Sequence, residues 1–190
     1  PGKGTRTLEF DWDDPDVTAA VVNALAMSLR LVDPKGSAFC FCGGDQFGVI
    51  MSTIRAHGFI AKPAVWLKQC PPPPGKGNWW PSGFEFAVYG YRSGAFFGDT
   101  DPKRCNVFHY DSYRHGKPGK VDHPTQKPLG LMNRLVESLV PENGLLLDPF
   151  AGSGSTLRAA MECGRRAIGI EREEKYCEIV ADRMSQQVLF

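Results

Sequence analysis

Apolar residues recur at helical spacing from Val17 through Val21, Leu25, Leu29 and Val32, ahead of the turn Asp33-Pro34-Lys35-Gly36. Asp14-Pro15 suits the start of that helix, an acceptor at the cap followed by proline in the first turn. Ser37 to Cys42 (SAFCFC) is a continuous apolar run, which predicts a short strand buried on both faces and broken by Gly43-Gly44. Asp45 is expected to cap a second helix that runs to about His57 and stops at Gly58. Ala64 to Lys68 and Glu85 to Arg92 read as two further strands. Beyond Pro128 the pattern predicts a helix (Leu131, Leu135, Leu139), a strand at Leu145 to Leu147 and a helix at Thr156 to Cys163. A strand at Ala167 to Ile170 and a helix at Glu173 to Met184 complete it. Strands alternating with helices over short links predict an α/β domain, a doubly wound and mostly parallel sheet with helices on both faces. Residues 1–190 are taken as one such domain.

Two stretches break the pattern. Residues 69–82 hold four successive prolines and then Gly75-Lys76-Gly77-Asn78-Trp79-Trp80, which cannot continue a sheet and must form a loop. Residues 92–122 have no sustained period. They carry six Lys or Arg (92, 103, 104, 114, 117, 120) against four Asp (99, 101, 111, 122), a modest basic excess.

Composition narrows the class. A chain of 190 residues, 42% hydrophobic and 23% charged, is long enough for a sizeable core. No run approaches the about 18 apolar residues of a membrane span, and Pro1 to Arg6 has no apolar stretch behind its charges. A cytoplasmic location is expected, in a prokaryotic or phage-like context. The net charge of +1 does not announce a nucleic-acid binder, so attraction to phosphate must come from local clusters. The six cysteines form no CxxC pair and read as reduced thiols; Cys105 with His109 lacks a complete ligand spacing, and no metal is expected.

The sharpest chemistry lies in LLLDPFAGSGST, residues 145–156. A strand ends in an acid, a glycine-rich turn follows, and a helix begins; ligands of doubly wound sheets bind beyond the carboxyl ends of such strands. Gly152 and Gly154 allow close approach to the backbone, and the helix N-terminus offers N–H groups to an anion. The next strand ends at Glu171, placed to accept hydrogen bonds from ribose hydroxyls. A nicotinamide fingerprint fails because Leu157 stands where its third glycine belongs, and no lysine follows Gly154 as a P-loop requires. Read alone, the segment could still be a turn that binds nothing. A second signal, His123-Pro124-Thr125-Gln126-Lys127-Pro128, is a stiff loop at a helix entrance.

Together these segments resemble the permuted, or beta, class of S-adenosylmethionine-dependent DNA amino-methyltransferases, which act on adenine N6 or cytosine N4. In that class HPTQKP precedes an amphipathic helix, then DPFAGSGST, then a strand ending in Gly-Ile-Glu, here Gly169-Ile170-Glu171. The resemblance extends upstream through Asp11-Trp12-Asp13-Asp14, Pro34-Lys35-Gly36-Ser37, Trp66-Leu67-Lys68 and Glu85 to Arg92, so it covers nearly the whole chain. It implies a Rossmann-like methyltransferase fold with circularly permuted motif order and S-adenosylmethionine as cofactor. Asp148, Pro149, Phe150, Ala151, Gly152 and Gly154 would line that cofactor, Glu171 would hold its ribose, and Thr125 and Lys127 would close the pocket. Double-stranded DNA would be the substrate, with the target base flipped out of the helix.

The family carries its reactive centre in a (D/N/S)PP(Y/W/F) tetrapeptide, ahead of the segment resembling Asp11 to Asp14. No such tetrapeptide occurs in the 190 residues, so no catalytic residue is assigned. Either an upstream piece supplies it, which is the expectation, or the chain is a non-catalytic cofactor-binding DNA-recognition subunit. For DNA contact the candidates are Lys76, Asn78, Trp79 and Trp80, with Arg104 and Arg114 in the 92–122 stretch as a candidate target-recognition insert. The tryptophan pair either stacks at the displaced base or packs its own loop. So short an insert leaves room for a second copy of the chain, as a homodimer, or another partner to add to specificity.

Overall fold

A computed structural model describes residues 15–69, 80, 82–99, 101, 104–113, 119–123 and 125–185. Asp14, Lys76, Asn78, Trp79 and Arg114, named above, lie outside them. The chain is α/β, as its pattern predicts. Among the described residues the strands form a four-stranded sheet and a two-stranded one.

Helix α1 (Pro15–Leu29) leads to β1 (Ser37–Cys42), then α2 (Phe47–Ala56), β2 (Ile60–Lys68), β3 (Phe84–Tyr91) and β4 (Val107–Tyr110). The larger sheet has the order β1-β3-β2-β4. Strand β3 runs antiparallel to both neighbours, and only β2 and β4 pair in parallel. The sheet is therefore mixed rather than mostly parallel. The cause is that β3 pairs antiparallel beside β2, Leu67 opposite Phe84, so the chain reverses there rather than crossing over. Pro63 sits inside β2 just before β4 begins to pair, where its missing N–H leaves no ladder bond unmade.

Strand β1 explains its own unbroken apolar sequence. Ala38, Cys40 and Cys42 turn toward a core of Leu25 and Leu29 from α1 and Ile50 and Ile54 from α2. Phe39 and Phe41 turn the other way, toward Trp66, Leu131 and Leu135. Burying each such aliphatic side chain contributes about 1.5–3 kcal/mol. Helix α2 begins after Gln46 rather than Asp45; Gln46 bends its own Oε1 back to accept the Gly43 N–H at 3.3 Å. Gly58, at φ 80°, ends that helix in the left-handed conformation its sequence suggests.

The chain then passes through α3 (Leu129–Leu139), β5 (Leu145–Asp148), α4 (Ser155–Glu162), β6 (Arg166–Gly169) and α5 (Glu174–Ser185). Strands β5 and β6 pair in parallel. Helix α3 joins the two sheets: its Leu131, Met132 and Leu135 belong to one cluster with Phe39 and Phe41 of β1 and Leu146 of β5. Strands β1 and β5 are each the edge of their own sheet among the described residues. No helix among the described residues is long and apolar enough to cross a membrane.

Candidate cofactor and nucleic-acid site

Strand β5 delivers Asp148 to its carboxyl end, and the chain turns sharply there. The Phe150 N–H donates to Asp148 Oδ1 at 3.0 Å, and the Ile170 N–H donates to the Asp148 carbonyl at 2.9 Å. Burial pushes the Asp148 carboxyl above the usual carboxylate range, against the opposing pull of the Thr156 hydroxyl and the Phe150 N–H. Burial, and then the neighbouring Cys42 and the Asp148 charge, hold the Cys40 thiol up at about 12.

Gly152 and Gly154 have φ of 52° and 73°, a region that favours glycine. A Cβ on Gly152 would meet His123 Nε2 at 3.0 Å, and one on Gly154 would meet Val180 at 2.9 Å. Both glycines thus serve the turn's conformation and its packing under His123 and α5. The side on which a Cβ would stand is filled by protein at both glycines. Gly154 is the residue before α4 and makes no side-chain cap, so the first N–H groups of that helix are left to other partners. Ser155 Oγ is buried there with no hydrogen-bond partner among the described residues.

Glu171, just after β6, reaches back across the turn. Its Oε2 accepts the Gly152 N–H at 2.7 Å, and Oε1 accepts the N–H groups of Arg172 at 2.8 Å and Glu173 at 2.9 Å. A carboxylate has about four acceptor positions, so one remains, on Oε2. Phe150 is 48% exposed and is therefore no core residue. Ala151, by contrast, is buried, with its N–H bonded to the Ile170 carbonyl at 2.9 Å. Pro149, between Asp148 and Phe150 in sequence, is half-buried.

The HPTQKP loop folds over this turn. The His123 ring packs edge-on against Tyr176 at 4.5 Å and accepts the Thr125 N–H at 3.3 Å on Nδ1. Burial, followed by the charge of Lys120, lowers the His123 pKa, so the ring is neutral near pH 7. Thr125 itself is exposed. Lys127 lies 3.0 Å from Glu85 Oε2, over the rings of Phe41 and Trp66. Three residues of this region were not singled out in the sequence. Gln126 is buried and clamps the 119–121 turn through Gly119 and Val121, and the buried Arg183 of α5 donates to the Ser153 carbonyl. Glu85 is the third. A polar residue inside a motif was a usable signal for Gln126. Arg183 and Glu85 gave none, because each acts on a partner remote in sequence.

The candidate DNA residues separate. Trp80 is 95% exposed beside the β2–β3 hairpin, at the sheet end where Lys68 and Phe84 stand. Arg104 lies toward the opposite end, in the wall of a cavity of about 880 Å³ that Ile60, Tyr91, Phe97 and Leu139 also line. Its guanidinium donates to the Asp101 carbonyl at 3.3 Å and lies over Phe97.

An α/β chain with a strand–acid–glycine turn and a carboxylate clamped across it defines the class: a nucleotide-cofactor protein with a Rossmann-like fold. The comparisons find the chain similar to DNA methyltransferases. Residues 98–182 match the family described as DNA methylase, N6_N4_Mtase. The chain is 25% identical over 184 residues to the type II methyltransferase M2.MboI of Moraxella bovis, covering 89% of this chain and 67% of that protein. Of several other curated methyltransferases it spans only 19–26% of the length. Among solved structures, M1.HpyAVI in complex with SAM superposes at a TM-score of 0.80 with 28% identity, covering 90% of this chain and 85% of that one. The cytosine-N4-specific PvuII DNA methyltransferase shares the fold at a TM-score of 0.77 and 16% identity, covering 100% of this chain and 78% of its own. The fold is that of Rossmann-like DNA methyltransferases.

Proposed function

We propose that the chain carries the cofactor half and part of the DNA-facing surface of an S-adenosylmethionine-dependent DNA methyltransferase of the permuted class. Adenine N6 is the proposed acceptor, and cytosine N4 is the alternative. The observation that carries the reading is the Glu171 carboxylate held against the Gly152 N–H at the end of the β5–β6 pair. Its free acceptor position takes one ribose hydroxyl; a second bonds only if the Gly152 N–H gives up Oε2. Phe150 offers an open apolar face to the adenine, and the uncapped start of α4 supplies donors. When bound, S-adenosylmethionine supplies an electrophilic methyl group on its sulfonium. Asp148 and Lys127 frame that end of the pocket with one charge of each sign.

The exocyclic amine is a poor nucleophile because its lone pair is conjugated with the ring. Acceptors must hold its two hydrogens and align the nitrogen with the methyl; it loses one proton as the new C–N bond forms. In the resembled class the tetrapeptide does this. We infer that it comes from outside the 190 residues, on a segment lying between the edge strands β1 and β5. The base must leave the duplex to arrive there. Double-stranded DNA, a cytoplasmic setting and a homodimer belong to this reading.

Two measurements test it. Calorimetry with S-adenosylhomocysteine should show binding to the 190-residue chain, and silence at millimolar ligand would sink the cofactor assignment. Tritium transfer from labelled S-adenosylmethionine to mixed-sequence duplex DNA should be absent with this chain and present once a DPPY- or SPPY-bearing segment is restored. Robust transfer by the chain alone would mean the reactive centre lies elsewhere.

A further inference from the structure

Glu85 stands directly opposite Trp66 in the antiparallel register of β3 and β2. Its two carboxylate oxygens serve two lysines remote from each other in sequence. Oε1 lies 3.1 Å from Lys68 Nζ and Oε2 lies 3.0 Å from Lys127 Nζ. Lys68 ends β2, and its N–H donates to the Gly83 carbonyl at 2.8 Å, closing the neck of the hairpin that carries Trp80. Lys127 belongs to the loop that folds over the glycine turn. The Trp66 ring lies 5.5 Å from Lys68 Nζ and 5.9 Å from Lys127 Nζ, so the three charges rest on an apolar floor.

The side chains are only 17%, 22% and 27% exposed for Lys68, Lys127 and Glu85. Solvent screening is weaker here than at an open surface pair, and removing one partner leaves the others unbalanced. Burial pushes the Glu85 carboxyl up, but Lys127 and then Lys68 outweigh it and hold it below the usual range. Without Glu85, two ammonium groups would share one apolar floor and repel. Lys127 would swing away from the position it now keeps beside the cofactor turn.

We propose that Glu85 is a positioning residue that sets Lys127 against the cofactor pocket and ties its position to the neck of the target-facing hairpin through Lys68. The inference rests on the reading that Lys127 closes that pocket. The residues joined are 42 positions apart, Glu85 to Lys127: the register of β2 and β3 sets Glu85 on the same face as Lys68, and the loop before α3 brings Lys127 to it.

A double-mutant cycle on the 190-residue chain tests it, with S-adenosylhomocysteine affinity read by calorimetry and the melting midpoint read in parallel. Lys127→Met is expected to weaken binding about tenfold, and the isosteric Glu85→Gln by about three- to tenfold, as for charge-assisted contacts. In the Lys127→Met background, Glu85→Gln should cost no further affinity, whatever it does to the melting midpoint. If Lys127→Met alone leaves affinity unchanged, the pocket-closing reading of Lys127 fails. If it weakens binding but Glu85→Gln does not, or if the two losses add in full, the positioning role of Glu85 is overturned. Should the glutamine variant fail to fold, Glu85→Met combined with Lys127→Met removes both charges together and closes the same cycle. An affinity below that of Lys127→Met alone would then overturn the proposal.

Discussion

Glu171 Oε2 accepts the Gly152 N–H at 2.7 Å across nineteen residues, which makes one carboxylate the clasp of the glycine turn and, in the function proposed above, also the group that faces the ribose. Glu171→Ala should therefore fail in two ways. Cofactor affinity should fall by about 1.5–3 kcal/mol through loss of charge-assisted hydrogen bonds. The melting midpoint should also fall, because the N–H groups of Gly152, Arg172 and Glu173 lose their acceptor. Calorimetry and thermal denaturation separate the effects, and unchanged affinity would show that Glu171 has been misassigned.

Gly154→Ala tests the turn itself. Its backbone stands at φ 73° and a Cβ would press on Val180 at 2.9 Å, so the substitution should destabilise the chain by about 1–3 kcal/mol. The effect should shrink when Val180→Ala makes room, leaving only the cost of the left-handed φ. Urea denaturation of the single and double variants measures both parts.

Asp148 gives a pH prediction. Its pKa is raised in the folded chain, so the native state binds the proton more tightly than the unfolded state does. That contribution to stability is full below the unfolded carboxyl pKa and is lost as pH rises through the raised folded value. Asp148→Asn should accordingly melt higher than the parent at neutral pH. Binding of a cationic sulfonium and ammonium needs the ionised form, so parent affinity should weaken as pH falls through the same raised pKa, while the asparagine variant binds weakly at every pH. A parent and variant that melt alike at pH 7, or affinities that do not diverge with pH, would contradict this.

Trp80, 95% exposed, contributes nothing to the core. Trp80→Ala should leave the unfolding free energy within about 0.5 kcal/mol of the parent, as at other exposed positions. In the assembled methyltransferase it should reduce turnover and dim the 2-aminopurine signal of base flipping, with stacking worth about 1–3 kcal/mol. Lys76→Ala should instead weaken all duplexes alike and flatten the salt dependence by about one ion. Equal flipping by the tryptophan variant and the parent would make the loop structural.

The sequence by itself determined what local rules govern. The span and period of α3, the strand at Ser37 to Cys42, and the order strand, acid, glycine turn, helix at residues 145–156 all follow from neighbours in the chain. Glu171 could be placed because the end of a short parallel strand is predictable from its apolar run. The tertiary structure decided the rest. Strand β4 has four residues and no period of its own, and it exists because β2 offers it an edge. The reversal of β3 came from a hairpin where alternation suggested a crossover. The reason for Gly152 and Gly154 proved to be His123 and Val180, contacts no spacing rule contains. The Lys68–Glu85–Lys127 cluster is of the same kind. A strand's register and a helix's docking bring its charges within 3.1 Å, and those depend on packing summed over the whole core rather than on any segment's own preference.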